Sequence, residues 1–327
     1  MKQKIFVLYT GGTIGMSQSS DGLRPDTALV DQALQPFSDG LAFDWHICTP
    51  LIDSSAVTLE NWRDWLTVLE ANLPKYDGVL ILHGTDTMAY TANLLALALQ
   101  SLDKPVVLTG SQWPYDAAGS DAPLNLATAV AAFELAWPQV VIAFNGKIFP
   151  AVGSSKVSTE HAAGFDNLHF GPLAEWTEAE GWHNVLACPQ QPLSAFQVRK
   201  IQPQAKVVCH TLIPGFAARH VSDGLMHTAA QAVILQSYGH GNAPSDEDFI
   251  RAVTAFTEKG GLLLNISQVA QGCAEAVYAQ GSALRQAGVI NGGKCNLETA
   301  TALLTLAVSN AWTADEVGRQ LAALKLV

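Results

Sequence analysis

The feature that most constrains this chain is a repeated alternation of short, wholly apolar runs with longer stretches of helical period. Residues 5–8, 79–82, 106–108 and 140–144 are built from Val, Ile, Leu, Phe and Ala without polar interruption. That is the pattern of strands covered on both faces, as in parallel sheets. Between them, 58–73 carries Leu59, Trp62, Leu66 and Leu69 at helical spacing, and 87–100 and 124–135 are apolar on one side. Strand followed by helix, several times over, predicts an α/β fold with mostly parallel sheets.

The pattern breaks at 188–205, CPQQPLSAFQVRKIQPQA, which is rich in Pro and Gln and reads as a linker. Beyond it the alternation resumes, with strands expected at 207–209, 232–235 and 262–265 and helices at 246–259 and 297–310. Thr313 and Glu316 form a capping-box start for a last helix. The expected organisation is a larger N-terminal α/β domain over 1–188, a linker over 189–205 and a smaller C-terminal α/β domain over 206–327. A length of 327 residues suits two domains. So does the composition, 49% apolar and only 14% charged against a usual charged share of about 25%.

Several classes of function are disfavoured at once. A formal charge of −11 repels phosphate backbones and anionic lipid, so neither nucleic acid nor membrane is an expected partner. No apolar stretch approaches the ~18 residues of a membrane span. The start, MKQKIFVLYTGG, has no secretory h-region or cleavage site. Five scattered cysteines (Cys48, Cys188, Cys209, Cys273, Cys295) without a CxxC pair fit reduced thiols, hence a cytoplasmic protein. Nine histidines include no HExxH and no pair at metal-ligand spacing, so no metal is expected; His83 is expected to bond locally. There is no Gly-Lys-Ser/Thr of a phosphate loop and no GxSxG elbow, and Thr10 stands where a dinucleotide fingerprint needs its first Gly.

In open parallel sheets, ligands sit beyond the carboxyl ends of the strands. Three turns there combine Gly with hydroxyl side chains: Thr10-Gly11-Gly12-Thr13-Ile14-Gly15, His83-Gly84-Thr85-Asp86-Thr87 and Thr109-Gly110-Ser111-Gln112. Any one of them reads equally as a tight turn with a capping Thr85 or Asp86; three on one edge favour a site. A Thr hydroxyl needs a base or charge partner to become a nucleophile. Asp86 is at hand, and Lys156 in Gly-Ser-Ser-Lys-Val-Ser follows the last strand of the first domain, where a solvated surface lysine is the alternative. Asp53-Ser54-Ser55 offers hydroxyls and amides suited to a carboxylate, or else a simple Asx turn.

On these motifs the chain resembles the bacterial cytoplasmic type I L-asparaginases, within the asparaginase and glutaminase family. The resemblance rests on YTGGTIGM (9–16) and GVLILHGTDTMAYTA (78–92). It is extended by TPLIDSSAVT (49–58), TGSQWP (109–114), HAAGFDNL (161–168), SYGHGNAP (237–244) and GVINGGKCNLETA (288–300). It implies hydrolysis of L-asparagine to L-aspartate and ammonia through an acyl-enzyme, without a cofactor, by a homodimer or homotetramer. Carried onto matching positions, Thr13 is the nucleophile, Thr85, Asp86 and Lys156 form a second hydroxyl–carboxylate–lysine set, Ser54 and Ser55 hold the substrate α-carboxylate, and Asp86 pairs with the α-ammonium. Alternatives are an amidase subunit of a tRNA-linked amidotransferase and a non-catalytic amino-acid sensor. Two departures stand out. Leu23 occupies the place of a loop Tyr whose hydroxyl supports the nucleophile, and Gln236 and Val269 replace the Arg and Cys of an effector site.

Overall fold

The apolar runs become neighbouring strands because each can cover both faces of a sheet only if helices pack on either side. The computed structural model describes residues 2–19, 22–187, 194–244, 246–275 and 279–327. Cys188, the end of the expected first domain and the start of the linker (189–193) lie outside them. The chain forms two compact units, Met1–Val198 and Arg199–Val327.

In the first unit the strands are β1 (Gln3–Tyr9), β2 (Leu41–Ile47), β3 (Gly78–Leu82), β4 (Val106–Thr109), β5 (Val140–Phe144), β6 (Lys147–Pro150), β7 (Ala174–Thr177) and β8 (Gly181–His183). The helices are α1 (Thr27–Leu34), α2 (Leu59–Asn72), α3 (Thr85–Ala98) and α4 (Ala122–Ala131). The eight strands form one sheet in the order β8-β7-β6-β5-β4-β3-β1-β2. β2 to β5 pair in parallel through β1, and β6, β7 and β8 extend the sheet antiparallel. Ile5, Val7, Tyr9, Leu80, Leu82, Leu126 and Phe133 belong to one buried cluster.

After β1 the chain passes to β2 on one side and then crosses to β3 on the other. This reversal of direction makes β1 and β3 the switch point of the sheet, where turns on the carboxyl edge splay apart and leave a crevice.

Three local expectations are corrected. β2 is absent from the expected strands because it is an edge strand, not a continuous apolar run: Leu41, Phe43, Trp45 and Ile47 alternate with Ala42, Asp44 and His46, and three of the seven residues are exposed. Neither Thr85 nor Asp86 caps α3: Gly84 is the N-cap and makes no side-chain cap bond, so Thr85 and Asp86 open the first turn with their side chains free for other work. The helix expected at 87–100 ends at Ala98, and Leu99–Gln100 instead pairs with Gln197–Val198.

The second unit holds β9 (Val207–Thr211), β10 (Ala232–Ser237), β11 (Leu262–Ser267) and β12 (Ile290–Asn291) in that order, all parallel. Around them lie α5 (Ala217–His227), α6 (Glu247–Glu258), α7 (Leu297–Ser309) and α8 (Ala314–Ala323), with a further helix at Ala279–Gln286. On α6, Phe249, Ala252, Val253 and Phe256 are buried at helical spacing, each large side chain contributing ~1.5–3 kcal/mol by leaving water. The Thr313–Glu316 capping box forms at the start of α8.

Candidate active site

Four consecutive parallel strands deliver four turns to one edge of the first unit, and glycines allow them to touch. A Cβ on Gly11 would overlap the Ile52 carbonyl in the turn after β2. A Cβ on Gly12 would lie 2.5 Å from both Cα and N of Gly84 in the turn after β3, and one on Gly110, after β4, would overlap the His83 carbonyl. Gly12 also has a φ of 102°, a conformation that a side chain strains. Hydrogen bonds stitch the same contacts. Thr10 donates from its amide and its hydroxyl to the Leu82 carbonyl, each at 3.0 Å, and accepts from the Ile52 amide at 2.9 Å. The His83 amide donates to the Thr109 carbonyl at 3.0 Å.

This stitching brings most of the expected residues together. Thr13 opens a short 3-10 turn, Thr13–Gly15, directly after Gly12, so the Gly12–Gly84 contact sets it beside the start of α3. Ser54 is buried and its hydroxyl accepts from the Asp86 amide at 3.3 Å, while its carbonyl accepts from the Thr87 hydroxyl at 2.7 Å. A Cβ on Gly84 would lie 2.6 Å from the Ser54 hydroxyl. Ser55 is engaged elsewhere: its amide and its hydroxyl both donate to Asp53 Oδ1 at 2.9 Å. Those two bonds hold the Asp53 carboxyl below its ordinary range, and the expected Asx-type turn is present.

Lys156 comes from a two-residue strand, Ser155–Lys156, paired with Phe165–Asp166. Its Nζ donates to Thr85 Oγ1 at 2.8 Å and to Asp86 Oδ1 at 2.7 Å. The lysine side chain is 16% exposed and the aspartate 57%, so this is no solvated surface lysine. The segment leading to it is pinned from below. Buried Asn93 on α3 accepts from the Gly153 amide at 3.2 Å and donates to the Ser154 carbonyl at 3.4 Å. Buried Asn167 donates to the Val152 carbonyl at 2.8 Å.

Gln112 was given no role by the sequence, though it sits in the third of the singled-out turns. Its Oε1 accepts from the Thr85 hydroxyl at 3.4 Å, and its Nε2 donates to the Ser158 carbonyl at 2.8 Å. Its own amide is fixed by the buried Asp121 carboxylate at 3.0–3.1 Å. The Thr85 hydroxyl is thus oriented from both sides, with Lys156 donating and Gln112 accepting. His83 bonds locally, as expected. It is buried, its Nδ1–H donates to the Gly84 carbonyl at 2.7 Å, and its Nε2 accepts from Thr91 at 2.9 Å. Trp62 Nε1 in turn donates to Thr91 at 3.0 Å. Burial pushes the His83 imidazole down to about 4, so it is a neutral structural strut. Among the described residues, no group of three or more His, Cys, Asp or Glu could hold a metal ion.

A Thr-bearing turn packed through Gly12 against Gly84 at the start of α3, where Lys156 bonds Thr85 and Asp86, at the switch point of the sheet, suits the class: a two-unit α/β enzyme equipped for hydroxyl chemistry. Family comparison is specific about which. Residues 4–187 match the family described as "Asparaginase, N-terminal", and residues 206–321 match "Glutaminase/Asparaginase C-terminal domain". The chain belongs to the asparaginase family. It is 36% identical over 308 residues to L-asparaginase 1 of Escherichia coli K12, covering 91% of this chain and 89% of that protein. Its structure is similar to that of L-asparaginase I from Vibrio cholerae, with a TM-score of 0.86, 32% identity and coverage of 98% and 97%. A probable cytoplasmic L-asparaginase from Campylobacter jejuni gives a TM-score of 0.80 at 25% identity, covering 98% and 99%.

Proposed function

We propose that this protein hydrolyses L-asparagine to L-aspartate and ammonia through an acyl-enzyme on Thr13, with no cofactor. The observation that carries this reading is the Lys156 ammonium bridging Thr85 Oγ1 and Asp86 Oδ1 beside the Thr13 turn. Family membership and the L-asparaginase relatives support it.

Thr13 Oγ attacks the side-chain amide carbon. Its proton passes to the departing nitrogen, ammonia leaves, and water then cleaves the resulting ester. Thr85 is the second hydroxyl. Lys156 must first give up a proton before it can take one from Thr85, and Asp86 both anchors the lysine and pairs with the substrate α-ammonium. Ser54 accepts from Asp86 through a lone pair and so keeps its own O–H to donate to the α-carboxylate. Ser55 joins it only by turning its hydroxyl away from Asp53. Of these groups, the Ser54 hydroxyl and the Asp86 carboxylate are already held in place before substrate arrives and need little reorganisation during reaction.

The protein is further read as a homodimer or homotetramer, testable by light scattering. It is read as cytoplasmic, a reading supported by the free thiols of Cys48, Cys209, Cys273 and Cys295. A division into 1–188, a linker over 189–205 and 206–327 predicts that limited proteolysis cuts first within the linker. The deciding experiment is ammonia release by purified protein from asparagine and from glutamine, with Thr13→Ala and Thr85→Val alongside. Release from asparagine, lowered by several orders of magnitude in both variants, supports the reading. No release from free asparagine turns it toward an amidotransferase subunit or a sensor.

A further inference from the structure

Tyr9 is a buried polar group to which the reaction above gives no task. Its side chain is 1% exposed, and its hydroxyl has no hydrogen-bond partner among the described residues. It closes β1 on the face shared with Ile5 and Val7, in the cluster with Ile14, Val30 and Leu34. A Cβ on Gly15 would overlap the Tyr9 hydroxyl and would lie 2.5 Å from Val30 Cγ2. The hydroxyl therefore rests against the Cα of Gly15, the last residue of the Thr13–Gly15 turn. Gly15, unlike Gly11 and Gly12, has no positive φ; the Tyr9 hydroxyl and Val30 Cγ2 against it leave no room for a side chain.

Burying an unpaired hydroxyl is unfavourable, and phenylalanine would fill the same ring space without that penalty. An unspent donor pressed against the turn that carries Thr13 points to a bond made in another state. The turn's entry is its loose end: the Gly15 amide reaches the Gly12 carbonyl only at 3.4 Å, whereas its exit is held by the Met16 amide donating to the Thr13 carbonyl and the Asp26 amide donating to the Gly15 carbonyl at 2.7 Å. Burial, together with the charge of Asp26, pushes the phenol up to about 12, so it keeps its proton through the neutral range.

We propose that Tyr9 is a positioning residue for Thr13, its O–H donating to a backbone carbonyl of the Thr13–Gly15 turn as the turn tightens around the attacking hydroxyl. The bond is absent from the resting protein and present in the acylation transition state. This rests on the reading of Thr13 as nucleophile.

A bond made only in the transition state lowers kcat when removed and leaves KM alone. The test is Tyr9→Phe in the full chain, with asparagine kinetics and thermal unfolding measured together. The expected result is a kcat lowered about tenfold, the weight of one ordinary hydrogen bond, with KM unchanged and Tm equal or higher. An unchanged kcat overturns the proposal. A kcat that falls together with Tm also overturns it, because packing alone then explains the loss. Wild-type protein that releases no ammonia overturns the functional reading itself and this inference with it, an outcome distinct from an active wild type with an equally active variant.

Discussion

Replacing Lys156 by Met keeps most of the side chain's volume and removes both bonds from Nζ. The loss has two parts. The charge-assisted bond to Thr85 at 2.8 Å is worth ~1.5–3 kcal/mol, or roughly 10- to 100-fold in rate. If the lysine also takes the Thr85 proton, a further factor of ~10²–10⁴ goes with it. We therefore expect kcat to fall by about 10³–10⁶. Stability should change little. Asp86 is 57% exposed, so its pairing with Lys156 is screened and worth no more than ~1 kcal/mol. Thr85→Val removes the other end of the same bond, and the double variant should then be no worse than the more damaged single one, because the pair acts as a unit. The assay is ammonia release by both single variants and the double one, with unfolding curves to show that the fold persists. Losses that multiply in the double variant, or a Lys156→Met protein with near-normal kcat, would refute the reasoning.

Gly12→Ala should destabilise by about 2 kcal/mol or more, since its Cβ meets the Gly84 backbone at 2.5 Å from a strained φ, and should abolish activity; urea unfolding with native-like results on both counts would contradict this. His83 has a folded-state pKa of about 4, below its usual 6.5. The unfolded chain therefore binds the extra proton first, and stability present above pH 6.5 should be lost as pH falls toward 4, by roughly 3 kcal/mol at most; His83→Gln should flatten that part of the pH–stability curve. Leu23 has its backbone in the strand Gly22–Pro25, and its side chain lies outside what the structure describes; Leu23→Tyr should raise kcat on asparagine and Arg24→Ala should lower it, and indifference to both would remove the loop from the mechanism. Gln236 is engaged by the Thr211 hydroxyl at 2.7 Å and carries no guanidinium for a carboxylate, so rate against asparagine should be hyperbolic; a sigmoidal curve abolished by Gln236→Ala would show otherwise.

What the sequence determined by itself was whatever depends on local pattern. Continuous apolar runs placed β1, β3, β4 and β5, because strands buried on both faces have no polar residues to interrupt them. Helical spacing placed α2, α3 and α4 to within a few residues, and Gly beside Thr at three strand ends marked the edge to search. β2, an edge strand with three of seven residues exposed, carries instead an alternation of Leu41, Phe43, Trp45 and Ile47 with Ala42, Asp44 and His46, which a search for continuous apolar runs passes over, and without it the Ser54 turn had no known neighbour. Which face each polar side chain serves was decided only in three dimensions. Lys156 meets Thr85 and Asp86 from some 70 residues away because Asn93 and Asn167 pin its segment over the first turn of α3. Gln112 acquires its role because Asp121 holds its amide, and Ser55 turns to Asp53 for a reason as local as a hydrogen bond. Composition and period are sums over neighbours in the chain, whereas a catalytic constellation is a set of distances between residues that the chain keeps far apart.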